Sequence, residues 1–161
     1  MITLCFFDGS CGDSGDGKFH NPGGEMGIGA VVFWNIDIAV FKSIINRELL
    51  SETILHRDCD EISYSVPPHN SNSNNVSEYM AVIEVMKLLN NNNDKISPKV
   101  YILGDSRLVI EQLNGYWKIK QGRYKKYALE AKEMIKPSYR FLWIPREYNG
   151  YADILSKQKD I

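Results

Sequence analysis

The chain has 161 residues, 43% hydrophobic and 24% charged, with a formal net charge of −1, which is the make-up of one globular domain with a substantial core. No apolar run approaches the ~20 residues of a spanning helix, and the start, MITLCFFDGS, meets Asp8 without a basic leader, so neither a membrane span nor a secretory signal is expected. Cys5, Cys11 and Cys59 form no C-x-x-C pair, which argues against a disulfide framework or a zinc ribbon and for a reducing, cytoplasmic setting.

In chain order, Ile2–Phe7 is an apolar run ending at Asp8-Gly9, the pattern of a buried strand. Gly27–Trp34 and Ile36–Ile45 read as two further strands, a hairpin turning near Asn35. Residues 46–69 are ambiguous, with one more strand expected around Glu61–Val66. The polar stretches Asn70–Asn75 and Asn90–Asp94 read as loops. Between them, Val82, Val85, Met86 and Leu89 recur at helical spacing, so Val76–Leu89 is an amphipathic helix, with Ser77 or Asn75 as its cap. Val100–Leu103 is a short buried strand stopping at Gly104-Asp105. Arg107–Leu113 is a helix stopped by Asn114-Gly115, and Tyr124–Ile135 is a longer one stopped by Pro137. Arg140–Ile144 is a last strand, and Asn149 caps a final helix through Ser156. A meander followed by alternating strands and helices indicates an α/β domain with a mixed sheet.

The small net charge hides an asymmetry. Residues 1–114 balance to −7, residues 115–146 to +7 and the tail to −1. The basic stretch is interleaved with Tyr116, Trp117, Tyr124 and Tyr127. Cations beside aromatic rings suit a nucleic acid, because Lys and Arg meet phosphates while rings pack on sugars and bases. A solvated helix face is the competing reading of the charge alone.

Four carboxylates occupy unusual places. Asp8 and Asp105 each follow a run that reads as a buried strand, where open α/β sheets bind ligands. Glu78 precedes Val82 by four residues and Val85 by seven, on the apolar face of its helix. Asp153 stands in the first turn of the last helix. Carboxylates gathered in one crevice repel unless protonated or neutralised, and hard divalent cations neutralise them. Taken one at a time, each acid is more simply read as solvated or paired with a basic residue. No basic residue lies at helical spacing to Glu78, which weakens that reading for the set.

The order of Asp8, Glu78, Asp105 and Asp153 resembles the catalytic tetrad of the type 1 ribonuclease H family. The surrounding words resemble that family as well: Asp8-Gly9-Ser10, Gly27-Ile28-Gly29-Ala30, Ser77-Glu78-Tyr79-Met80-Ala81, Asp105-Ser106-Arg107-Leu108-Val109, and Ile144-Pro145-Arg146-Glu147 with Asn149 and Ala152-Asp153. The resemblance implies a ribonuclease H-like five-stranded mixed sheet flanked by helices on both faces, in one domain over residues 1–161. It implies a monomeric endoribonuclease that hydrolyses the RNA strand of RNA/DNA hybrids and leaves 5′-phosphate and 3′-hydroxyl ends. Two Mg²⁺ ions, replaceable by Mn²⁺, would be held by Asp8, Glu78, Asp105 and Asp153. Gly9, Ser10 and Cys11, in a turn read over Gly9–Gly12, would meet 2′-hydroxyls; Asn21 would meet the nucleic-acid backbone, and Ser106 and Arg107, beside the metal site, would reach RNA sugars or phosphate. Trp117, Lys118 and Lys120 would pack on the DNA strand.

The chain departs from the family in several places. Residues 13–20 and 46–72 read as insertions. The loop before Asp153 lacks the histidine of many members, leaving Arg146 and Glu147 as possible auxiliaries, and His20, His56 and His69 read as surface residues. The basic handle helix is missing, with Lys118–Lys126 carrying part of its charge. Trp143 reads as structural. Two other functions compete: a binding module that kept the fold and lost turnover, and another nuclease of the same fold. The intact acid set disfavours the first, and the place of Glu78 on the first helix disfavours an integrase-like arrangement.

Overall fold

The structure is a computed structural model, and it describes residues 1–12, 23–55 and 57–158. The strands are β1 (Ile2–Cys11), β2 (Met26–Ile36), β3 (Cys59–Val66), β4 (Val100–Gly104) and β5 (Tyr139–Trp143). They form one five-stranded sheet in the order β3-β2-β1-β4-β5. β2 pairs antiparallel with both β1 and β3, whereas β4 runs parallel to β1 and to β5. The helices are α1 (Ile38–Ile45), α2 (Asn74–Asn90), α3 (Arg107–Leu113), α4 (Lys125–Met134) and α5 (Gly150–Lys157), with 3-10 turns at Ser51–Ile54 and Arg146–Tyr148.

Alternation along β1 explains why its run is apolar on both faces. Cys5 and Phe7 join a core on one face with Tyr79, Val82, Met86 and Ala128, from α2 and α4. Leu4 and Phe6 join a second core on the other face with Phe41, Ile44, Tyr151 and Leu155, from α1 and α5. A central strand covered on both sides is apolar on both faces, and its one buried polar residue before Asp8, Thr3, is satisfied by donating to the Trp34 carbonyl at 3.2 Å and accepting from the Ser97 N–H at 3.0 Å. The expected mixed sheet with helices on both faces is the observed architecture.

Two sequence expectations need correction. Ile36–Ile45 is not a strand. Only Ile36 belongs to the sheet, and the rest forms α1, capped by the Asp37 side chain accepting from the Ala39 N–H at 2.9 Å. The alternation of Ile36, Ile38 and Val40 imitates period two, but burial of Phe41 and Ile44 three residues apart follows the helical period. The third strand is therefore β3, where the additional one was expected. The cap of α2 is Ser73, whose Oγ accepts from the Val76 N–H at 3.1 Å, not Ser77 or Asn75. Ser77 lies inside the first turn, buried, with its hydroxyl donating to the Asn74 carbonyl at 2.7 Å. No helix intervenes between α3 and α4, in keeping with the missing handle. Asn21, His20, His56 and the 13–20 insertion lie outside the described residues.

Candidate active site

β1 does not stop at Asp8-Gly9 but continues to Cys11, with Gly9, Ser10 and Cys11 opposite Ile28, Gly27 and Met26. The expected turn at 9–12 is thus mostly strand, because β2 is long enough to pair with it. The parallel pairing of β1 with β4 ends at Phe7 and Gly104, so Asp8 and Asp105 emerge side by side just beyond it. α2 reaches the same point because Gly9 has no side chain. A Cβ there would stand 2.3 Å from the Ser77 carbonyl carbon and 2.4 Å from the Glu78 nitrogen. On the opposite face a Cβ at Gly29 would stand 2.3 Å from the Ser156 nitrogen, so α5 lies directly on β2. These two close approaches bring Glu78 and Asp153 to the strand ends.

Asp8, Glu78 and Asp105 each present a carboxylate oxygen within 4.8 Å of the others. They line a cavity of about 570 Å³ together with Gly9, Ser10, Cys11, Ser106, Arg146 and Asp153. Asp8 is 5% exposed, and burial followed by repulsion from Asp105 pushes its carboxyl up to about 7. Glu78 is raised well above the ordinary carboxylate range by burial and then by Asp8 and Asp105. Burial raises Asp105 too, against the opposing hydrogen bond from Asn149 and the charge of Arg146. The Gly9 N–H bonds the Glu78 carboxylate, while Glu78 Oε2 is buried without a partner among the described residues.

A buried carboxylate oxygen with nothing to neutralise it, beside two more acids, is an expensive arrangement for the bare chain. Three hard oxygen donors at this spacing fit a divalent cation such as Mg²⁺ or Mn²⁺. Asp153 differs from the other three. It lines the cavity and helps raise Asp8, but it also pairs with Lys157 at 3.1 Å, and it is not one of the 4.8 Å cluster.

Ser106 caps α3, its Oγ accepting from the Val109 N–H at 3.3 Å. Arg107, Trp117, Lys118, Lys120 and Glu147 are not among the described residues lining the cavity. The Arg107 guanidinium stands 4.2 Å from the centre of the Trp143 ring, whose N–H donates to the Asp105 backbone carbonyl at 3.1 Å. The basic stretch after α3 is tethered from beneath: the Gln112 side-chain amide donates to the Lys118 carbonyl at 2.9 Å and to Tyr124 Oη at 3.2 Å. Tyr124 stacks on Tyr79 and belongs to the core side of this stretch, while Trp117 remains 47% exposed. Sequence reasoning missed Asn74, Asn75 and Lys157, which also line the cavity. Lys157 stands one helical turn after Asp153, a spacing that could have found it.

Residues 54–159 match the model of the family described as Reverse transcriptase-like. The bifunctional protein Rv2228c of Mycobacterium tuberculosis is 29% identical over 146 residues, which cover 88% of this chain and 33% of that protein. The chain thus spans about a third of the length of the curated relatives it matches. Among solved structures, the N-terminal RNase H domain of Rv2228c superimposes with a TM-score of 0.67 at 25% identity, over 96% of this chain and 95% of that one. LC11-RNase H1, solved in complex with an RNA/DNA hybrid, gives 0.65 at 26% identity over 95% and 92%. RNase H1 of the archaeon Halobacterium salinarum gives 0.65 at 20%, over 96% and 94%, and bears on the fold alone.

Proposed function

The chain belongs to the reverse transcriptase-like family and carries the type 1 ribonuclease H fold, and from that premise we propose that it is a ribonuclease H. Its substrate is an RNA/DNA hybrid, whose RNA strand it cuts internally to leave 5′-phosphate and 3′-hydroxyl ends. The observation that carries this reading is the convergence of Asp8, Glu78 and Asp105 around a buried oxygen that lacks a partner among the described residues. A pure binding module gains nothing from negative charge concentrated where a phosphate must sit.

In this mechanism Asp8, Glu78 and Asp105 would hold the divalent ions, with Asp153 as the fourth donor. When bound, the ions supply an activated water and stabilise the departing 3′ oxygen, so that no protein nucleophile is required. Asn149 orients Asp105 through its side-chain amide. Ser10, Cys11 and Ser106, at the cavity wall, meet the RNA sugars, whose 2′-hydroxyls are what distinguish RNA from DNA. Arg107 and Arg146 supply positive charge to the strand being cut. Exposed Trp117 packs on the DNA strand, with Lys118 and Lys120 on its phosphates.

The test uses end-labelled RNA/DNA hybrid, duplex RNA, duplex DNA and single strands, each with Mg²⁺, Mn²⁺ or chelator. Cleavage confined to the RNA of the hybrid and abolished by chelator is expected, and Asp8→Asn should bind the hybrid and leave it uncut. Hybrid bound but never cut by the unaltered chain overturns the proposal in favour of a binding module.

A further inference from the structure

We infer that the segment joining β2 to β3, acting through Ser51, is a positioning device that holds residues 148–153 against the acidic cavity. This inference rests on the proposed nuclease reading. Three separate contacts run from the segment to that stretch. Ser51, fully buried, accepts at Oγ from the Tyr151 N–H at 3.2 Å. The Glu52 carboxylate lies so close over Gly150 that a Cβ there would stand 1.8 Å from its Oε1. Tyr148 Oη donates to the Arg47 carbonyl at 2.7 Å, at a residue with a left-handed φ of 61°.

These contacts fill a gap that the local sequence leaves open. The first turn of a helix has N–H groups without intrahelical partners. Asn149 occupies the capping position of α5 yet makes no capping bond. Its Nδ2 donates to the Phe7 carbonyl and to Asp105, while Oδ1, the atom that would accept a capping bond, is buried without a partner among the described residues. Ser51, a hundred residues earlier in the chain, supplies the missing acceptor. α5 has only eight residues, too few to be stable alone, so its start is placed by tertiary anchors. Asn149 and Asp153, on either side of the anchored residues, both face the acids of the cavity. Ile54 packs into the same core as Tyr151, Ala152 and Leu155, which fixes the segment in turn.

Ser51→Ala and Tyr148→Phe each remove one of the two hydrogen bonds, and Tyr148 is only half-buried, so its variant keeps the fold intact. At temperatures where circular dichroism shows both variants folded, kcat on the hybrid should fall roughly three- to tenfold, the equivalent of one hydrogen bond. KM should stay within about twofold of wild type, since the substrate-binding surface is untouched. Calorimetric titration with Mn²⁺ alone should show weaker binding by a similar factor. A lower melting temperature with kcat and Mn²⁺ affinity unchanged in both variants would make the segment purely structural and overturn the inference. If the unaltered protein does not cut the hybrid, the nuclease reading fails, and the Mn²⁺ titration still decides whether the segment positions the acids.

Discussion

Asn149 donates its side-chain amide to Asp105 Oδ2 at 3.2 Å, and the same nitrogen donates to the Phe7 carbonyl at 2.9 Å. One fully buried side chain therefore ties β1, at the residue where its pairing with β4 ends, to the carboxylate that follows β4. The bond opposes the upward push that burial gives Asp105, so it helps keep that group ionised and oriented.

Replacing Asn149 by Ala should lower kcat by roughly tenfold or more and destabilise the fold by about 1–3 kcal/mol, because the Phe7 carbonyl loses its partner in the core. Steady-state kinetics on a labelled hybrid and urea denaturation read the two effects. Wild-type kcat in this variant would remove Asn149 from the positioning of Asp105.

Asp8 predicts a pH dependence of the metal-free fold. Its carboxyl rises from an ordinary 3.8 to about 7, so it binds its proton more tightly folded than unfolded. The stabilisation it contributes is full below about pH 4 and is lost as pH rises through about 7. The amount is of order 2–4 kcal/mol. In chelator, urea midpoints of wild type measured against Asp8→Asn should fall progressively between about pH 4 and 7. Parallel curves would contradict it. Saturating Mg²⁺ should flatten the difference on the wild-type side, because cation binding favours the ionised carboxylate.

Glu78→Gln should separate stability from activity. It replaces a buried carboxylate that lacks a partner at Oε2 among the described residues with a neutral group of the same shape. The metal-free variant should be more stable by about 1–3 kcal/mol, inactive, and no longer stabilised by Mg²⁺. Thermal melts with and without the ion test this, and a less stable metal-free variant would contradict it.

Gly9→Ala should damage the site through the backbone. The added Cβ meets main-chain atoms of Ser77 and Glu78, which cannot rotate away as a side chain would. A loss of about 1–3 kcal/mol or more is expected, with activity falling further than stability because Glu78 is displaced. Gly12→Ala, where a Cβ meets nothing within 4 Å among the described residues, is the control expected to melt near wild type.

Local pattern made much of this fold readable. Arg107–Leu113 is a helix over the residues expected of it, since Asn114-Gly115 ends it, and the structure adds Ser106 as its cap. The apolar runs of β1 and β4 announce strands buried on both faces, and the word Ser77-Glu78-Tyr79 places an acid on an otherwise apolar helical face. The misreading of Ile38–Ile45 has an equally local cause: the Asp37 cap is a stronger signal than three alternating apolar residues.

The chain's residue order alone determined that two acids directly follow apolar runs, that two more stand on helices, and that a basic stretch follows α3. Only the tertiary structure decided that Asp8, Glu78 and Asp105 meet within 4.8 Å while Asp153 is shared with Lys157. It also decided that Ser51, from a segment of no evident function, anchors the start of α5. Periodicity and capping act over a few neighbours and leave marks in the residue order. The burial that raises a carboxylate, and a hydrogen bond spanning a hundred residues, exist only once the sheet has brought distant segments together.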